Sequence, residues 1–404
     1  MKILQLCPKV PWPPDDGGRV AMRVLALSLR QAGADVRTLC LNPRKHHVEP
    51  SSLPEEARDL RLEAVDVDTS VSVAGALRSL VTGTSYNVDR FFSEAFRRRL
   101  IEVVREERPE VVLLESLFMV PYVQALRATT RAPLVLRSVN VEHEIWQRLA
   151  LGESRPARRL YLGHLAHRLR RFELTTLNDV DAIVAVTPED AATYARLGAR
   201  VPVHLAPVAI ATGEYPDRSG EGDPLTLVFL GSLDWRPNLE AVEWFLESVW
   251  PIVRRSVPLA RFHLGGSNPP EGLAGRLLTD GVRFLGRVPN ACDFLASGAA
   301  VVVPLLSGGG MRVKILEAMA LGVPVVSTRL GASGIGAADG TEMLLADGPE
   351  SLGAACISLL LDRDLATTLG IAGRRRVHES FDAEGIGRRL KKFLESLVAT
   401  AQPT

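Results

Sequence analysis

The chain has 404 residues, 46% of them hydrophobic and 24% charged, enough apolar material to fill large cores spread over two or three domains. Lys+Arg 48 against Asp+Glu 47 leaves a net charge of +1, which argues against a nucleic-acid protein relying on a basic surface, and the composition excludes disorder, collagen and coiled coil. Cys7, Cys40, Cys292 and Cys356 are far apart in sequence with no CxxC spacing, so neither a zinc site nor a disulfide framework is expected and a reducing compartment fits.

The opening MKILQLC is ended by Pro8, too soon for a signal sequence, and no run of about 18 apolar residues follows anywhere. A cytoplasmic location is expected. Lys2–Cys7 reads as a buried strand. A proline-stiffened loop ending in Gly17-Gly18 leads into a helix with Val20, Val24 and Leu27 on one face, closed by Gly33. Val111–Leu114, Pro133–Val139 and Ala182–Val186 are further strands. Residues 155–171 form a basic helical segment, expected either as a buried helix with a solvated basic face or as a peripheral contact with anionic lipid on the cytoplasmic membrane face. Pro207–Pro224, rich in Gly, Pro and acid, reads as a linker. A second strand series follows at Leu225–Leu230, Arg261–Leu264, Val282–Leu285, Ala300–Val303 and Val323–Ser327. The last helix has Ile386, Leu390, Phe393 and Leu397 on its apolar face. Continuous apolar strands alternating with helices mean parallel sheets covered on both faces. The expected architecture is therefore two Rossmann-like, doubly wound α/β domains with a cleft between them. Residues 1–206 form the first, 207–380 the second, and 381–404 a C-terminal helix.

Two glycine loops could hold a ligand. The first strand lacks the GxGxxG of a dinucleotide fold, but Gly17 and Gly18 allow backbone N–H groups to approach phosphate or sugar oxygens at a positive helix end; a turn shaped only for packing is equally consistent. In LSGGGMRVKILEAMALGVPVVS, residues 306–327, Gly308, Gly309 and Gly310 are expected to open a helix. Lys314 and Glu317 lie one turn apart on it, and Arg312 reaches in from the loop side. Cations for a diphosphate beside a carboxylate for ribose hydroxyls suit a nucleotide diphosphate, against the plainer reading of a surface i,i+3 ion pair.

These motifs, with FLGSLDWRPN (229–238), FLGRVPN (284–290) and the Gly-Gly loop, resemble the retaining glycosyltransferases of family four, which have the GT-B fold. The resemblance implies a nucleotide-sugar donor, UDP- or GDP-linked, held mainly by the second domain. It implies a glycan, lipid-linked or small-molecule acceptor on the first, a C-terminal helix crossing back onto the first domain, and hexosyl transfer without a protein-bound metal or cofactor. Glu317 matches the family glutamate expected on the donor ribose, while Gly309 stands where the family's first glutamate would be. Arg312 and Lys314 are expected to take over the phosphate role that relatives give to an Arg/Lys pair after the GSL-type turn; here that turn offers Ser232, with Arg236 nearby. The base is expected against Arg287 and Val288. LRSVNVEHEIWQR, residues 136–148, resembles the family's Arg-x-His-Asn-x-Glu stretch: Arg137, Asn140 and Glu142 match, Val139 takes the His position, and His143 follows four residues later as a catalytic candidate. A GT-B protein without catalysis, acting as an assembly partner, and a nicotinamide-dependent oxidoreductase are the alternative readings.

Overall fold

The structure, a computed structural model, describes residues 1–70, 85–270 and 279–401. It divides into two compact units: unit 1 is Met1–Ala209 with Ala383–Thr404, and unit 2 is Ile210–Asp382.

Unit 1 is built on a seven-stranded sheet of order β3-β2-β1-β4-β5-β6-β7, in which every neighbouring pair is parallel. Its strands are β1 Lys2–Cys7, β2 Asp35–Pro43, β3 Glu63–Val67, β4 Val111–Glu115, β5 Leu134–Ser138, β6 Ala182–Ala185 and β7 Val203–Leu205. Strands β1, β4, β5 and β6 are buried almost throughout, as continuous apolar runs require when both faces are covered. Helix α1, Gly17–Gln31, lies over β1, and Gln5 Nε2 donates to Met22 O at 3.3 Å. A further helix, Ala383–Ala401, packs on α1, with Gly387 against Ser28. Its buried apolar residues are Ile386, Leu390 and Leu394, whereas Phe393 is half-buried and stacks on His204. The register brings Cys7 directly opposite Cys40, so two cysteines distant in sequence are neighbours; all four are free thiols.

Unit 2 repeats the plan with six parallel strands in the order β10-β9-β8-β11-β12-β13. They are β8 Asp223–Leu230, β9 Arg261–Gly265, β10 Val282–Gly286, β11 Gly298–Val303, β12 Val325–Ser327 and β13 Leu344–Leu345. Phe229, Phe245, Trp250 and Phe262 form the aromatic centre of its core. In both units the strand order reverses beside the first strand, at β1/β4 and at β8/β11, and ligands of such sheets bind beyond the carboxyl ends at that reversal.

The stretch expected as a linker is largely built into unit 2. Ile210 bridges Asp382, Tyr215 is buried, and Arg218 N donates to Leu321 O at 2.8 Å. A Cβ on Gly222 would come 2.0 Å from Gly298 O, so this segment is packed backbone to backbone.

Candidate functional site

The unit 2 site assembles where β8 and β11 end. The chain leaves β11 through Leu305–Met311 and enters helix α2, Val313–Ala320, with Arg312 in extended conformation as the residue before its first turn. The glycines thus do not open the helix. Gly308 (φ 111°) and Gly310 (φ 72°) take left-handed conformations that a helix cannot use, and they shape the loop ahead of it. A Cβ on Gly308 would also lie 2.9 Å from the Arg312 guanidinium and 3.1 Å from Trp235.

Arg312 is buried with its guanidinium 5.0 Å from the centre of the Trp235 ring, a cation–π contact that fixes the charge at the mouth of the loop. Lys314, the second residue of α2, turns towards the end of β8. Its Nζ donates to Asn238 Oδ1 at 3.0 Å and sits 4.3 Å from the centre of the Phe229 ring. Asn238 is oriented for this by donating from Nδ2 to Ser232 O at 2.8 Å. The approach needs a glycine at 231, because a Cβ there would lie 2.6 Å from Nζ. Among the described residues no carboxylate forms an ion pair with Lys314. Burial and the nearby Arg312 charge push its pKa down to about 7, against a smaller upward pull from Glu317.

Glu317, on the same face as Lys314, accepts from Tyr215 Oη at 3.0 Å. Burial raises its pKa, while Tyr215 and Lys314 oppose the rise. Tyr215 titrates well above its ordinary range because it is buried beside that carboxylate. The arrangement places two partly desolvated cations and a pinned carboxylate together at the start of one helix. Arg236, the first residue of the helix Arg236–Trp244, and Arg287, just beyond β10, are both exposed. Val288 packs beneath Gly265 at the end of β9.

Unit 1 presents a second set of groups along its own carboxyl edge. Gly17 and Gly18 begin α1 and are exposed; Asp16 caps this helix by accepting from Arg19 N at 3.0 Å and is also paired with Lys9 at 2.6 Å. Beyond β5, Ser138 Oγ donates to Asn140 O at 2.7 Å, and Asn140 Nδ2 donates to Glu142 Oε1 at 3.4 Å. Helix α3, Glu142–Gly152, starts there and packs against helix α4, Pro156–Thr176. Glu173 of α4 accepts from the backbone N–H groups of Glu142 and His143, each at 3.0 Å, and pairs with His143 Nδ1. His143 is therefore buried and held by a carboxylate rather than facing solvent, which leaves Nε2 as its remaining polar atom. Burial and the neighbouring Glu173 push Glu142 up to about 7, and burial lifts Asp190 to about 6.

Three contributors escape sequence reasoning. Tyr215 is 102 positions from Glu317, and Asn238 is 76 from Lys314. Ser116, at the end of β4 beside the strand reversal, adopts φ 104°, ψ 157°, a region nearly reserved for glycine. Only the fold brings Tyr215 and Asn238 to their partners. No residue pattern announces the Ser116 conformation.

Fold and site together are those of a two-domain α/β protein with charged groups gathered at the carboxyl ends of its parallel strands. Residues 16–209 match the family described as glycosyl transferase 4-like domain, and residues 224–362 match glycosyl transferases group 1. Between them the two matches span most of the chain and support a glycosyltransferase of the GT4 type. A protein of the cps region of Klebsiella pneumoniae is 23% identical over 363 residues, 86% of this chain and 87% of its own length. A GDP-mannose-dependent monoacylated alpha-(1-6)-phosphatidylinositol monomannoside mannosyltransferase of Corynebacterium glutamicum is 28% identical over 231 residues, 54% of each chain. Among solved structures, the sucrose-phosphate synthase of Thermosynechococcus elongatus superposes with a TM-score of 0.72 at 17% identity, covering 99% of this chain and 100% of that one. Anabaena HepE, solved with UDP and glucose, gives 0.68 at 15%, covering 98% and 100%. At such identities these structures speak to the fold, which is GT-B.

Proposed function

We propose that the protein transfers a hexosyl group, with retention, from a UDP- or GDP-linked donor to a glycan, lipid-linked or small-molecule acceptor in the synthesis of cell-surface polysaccharide or glycoconjugate. The observation carrying this reading is the turn of Lys314 onto the end of β8, next to Arg312 and one helical turn from the Tyr215-held Glu317. Charge grows on the diphosphate as the glycosidic bond breaks, and fixed cations aimed at it act chiefly on the transition state. Glu317 serves the ribose hydroxyls, and the base lies against Arg287 and Val288, with Arg236 nearby. Gly308, Gly309 and Gly310 let the loop backbone approach the donor closely. Gly17, Gly18, Asn140, Glu142 and His143 are the candidates on unit 1's own carboxyl edge for a part in the reaction. The departing phosphate oxygen takes the acceptor hydroxyl proton, so the reaction balances without an enzymic nucleophile. The cps-region and phosphatidylinositol-mannoside relatives support a cell-surface product.

Release of UDP or GDP from a panel of nucleotide sugars tests the reading, together with calorimetry of the bare nucleotides. Arg312→Ala and Lys314→Ala should each lower kcat by about 10²-fold with a smaller change in KM. Turnover near wild type in both variants overturns the assignment. Gly309 and Val139, standing where a carboxylate and an imidazole are expected, favour a second reading as a nucleotide-binding assembly partner. Tight nucleotide binding with no turnover on any donor would select it.

A further inference from the structure

The α3–α4 hairpin has an exposed end that the site just described does not use. Glu173, near the end of α4, is held at the first turn of α3, which follows β5 at the carboxyl edge of the sheet. Three residues past α4, Asp179 O accepts from Arg127, and Asp181 N donates to Leu134 O at the amino end of β5. Helix α4 therefore runs from the carboxyl side towards the amino edge, and everything before Glu173 lies beyond the carboxyl ends of the strands. At 1.5 Å per residue, the start of α4 stands roughly 25 Å from Glu173 along the helix axis. With residues 142–143 opposite 173, the first turns of α4 also overshoot the end of α3.

That overhang is exposed on every side: Pro156–Tyr161 has no buried residue. Leu160 is 77% exposed, Tyr161 50%, and Leu151 at the end of α3 65%. Large apolar side chains on an otherwise unsupported helix end call for a partner. Charge says which kind. Between Ser154 and Phe172 there are six arginines and no carboxylate; at the tip Glu153 pairs with Arg158 at 3.2 Å, and the exposed Arg155 and Arg159 flank the apolar residues in sequence. Two copies meeting through this tip would oppose like charges. Leucine and tyrosine flanked by arginine match a surface that offers phosphate groups above an apolar interior.

We propose that the tip of the α3–α4 hairpin, formed by Leu151, Arg155, Arg158, Arg159, Leu160 and Tyr161, docks into the headgroup layer of an anionic bilayer. The carboxyl edge of the unit 1 sheet then lies on the membrane side of that unit. That this edge receives an acceptor carried on lipid rests on the proposed glycosyl transfer, whereas the docking itself does not.

Flotation of the full chain with vesicles tests it, using phosphatidylcholine alone and phosphatidylcholine with one third phosphatidylglycerol, with no sugar donor or acceptor present. Wild type should float with the anionic vesicles only and be released by high salt. Leu160→Asp/Tyr161→Asp and, separately, Arg155→Ser/Arg159→Ser should each weaken binding by about tenfold or more. Calorimetric nucleotide affinity should stay unchanged in both, as neither pair belongs to the unit 2 site. Failure of wild type to float, or equal flotation of the variants, overturns the proposal. A dimer in sedimentation that Leu160→Asp/Tyr161→Asp disperses would make the tip a protein interface instead. Because vesicles without substrate read docking alone, an inactive protein that floats would refute the proposed reaction and leave the docking standing.

Discussion

Replacing Lys314 by methionine separates binding from stability at one position. Methionine keeps the length and apolar stem of the side chain and removes only the ammonium. A charge-assisted hydrogen bond to a diphosphate contributes about 1.5–3 kcal/mol, so UDP or GDP affinity should fall roughly 10- to 100-fold. Stability should move the other way. The folded pKa of about 7 lies below the unfolded value near 10.5, so the native state carries the cost of holding a buried cation. That cost is complete below pH 7, shrinks as pH rises, and is gone above the unfolded pKa. Each pKa unit corresponds to about 1.4 kcal/mol; with most of the displacement discounted for solvent screening, about 1–2 kcal/mol remains. Lys314→Met should therefore raise Tm by a few degrees at pH 6, and by less at pH 9. Nucleotide affinity of the wild type should weaken between pH 6 and 8.5 as the empty site loses its proton, while that of the variant stays flat over the same range. Calorimetry and thermal melts across pH read both effects. Wild-type nucleotide affinity in Lys314→Met, or a loss of stability at pH 6, would refute the reasoning.

Tyr215→Phe should weaken nucleotide binding about fivefold, since Glu317 loses the Tyr215 hydrogen bond that orients it; Glu317→Ala should cost about 2–4 kcal/mol of affinity in a folded protein. Glu142→Gln should stabilise the chain at pH 8 and not at pH 5: the folded pKa of about 7 exceeds the ordinary value of 4.5, so native stability falls as pH rises between the two. Ser116→Gly relieves a glycine-type conformation and should raise the melting temperature, a gain of about 1 kcal/mol, which denaturant titration can measure. Glu115→Ala strands the fully buried Arg137 charge that it pairs with at 2.7 Å and should cost about 3–5 kcal/mol.

The strands that sequence reveals are mostly those buried on both faces, the half-exposed edge strand β10 being the exception. Lys2–Cys7 is recovered to the residue, and β4, β5 and β8–β12 within a few residues of their ends. Strand β2 is missed because Asp35, Arg37, Thr38 and Asn42 interrupt its apolar run; Thr38 and Asn42 are buried, but their polarity is answered by Gln5, Val48 and Asp66, partners that only the fold supplies. Strand β3 lies at a sheet edge and is half exposed, while β7 and β13 are too short to show a pattern. In the site, the Lys314–Glu317 spacing is a local helical fact and legible. The start of the helix is not, because two left-handed glycines delay it to Val313. His143 reads from sequence as a polar residue near a helix start, and nothing local points to Glu173, thirty positions on, as its partner.

The return of Ala383–Ala401 to unit 1 has a consequence for how the chain is made. Gly387 lies so close to Ser28 that a Cβ would come 2.6 Å from the Ser28 carbonyl oxygen, a fit that closes one flank of α1. On the ribosome, α1 emerges early and its covering helix only after all of unit 2. At about 5–20 residues per second, that interval is roughly 20–75 s. Unit 2, whose residues are contiguous, can complete its core during synthesis. Unit 1 spends the wait with that flank of α1 uncovered, and it finishes last although it was begun first.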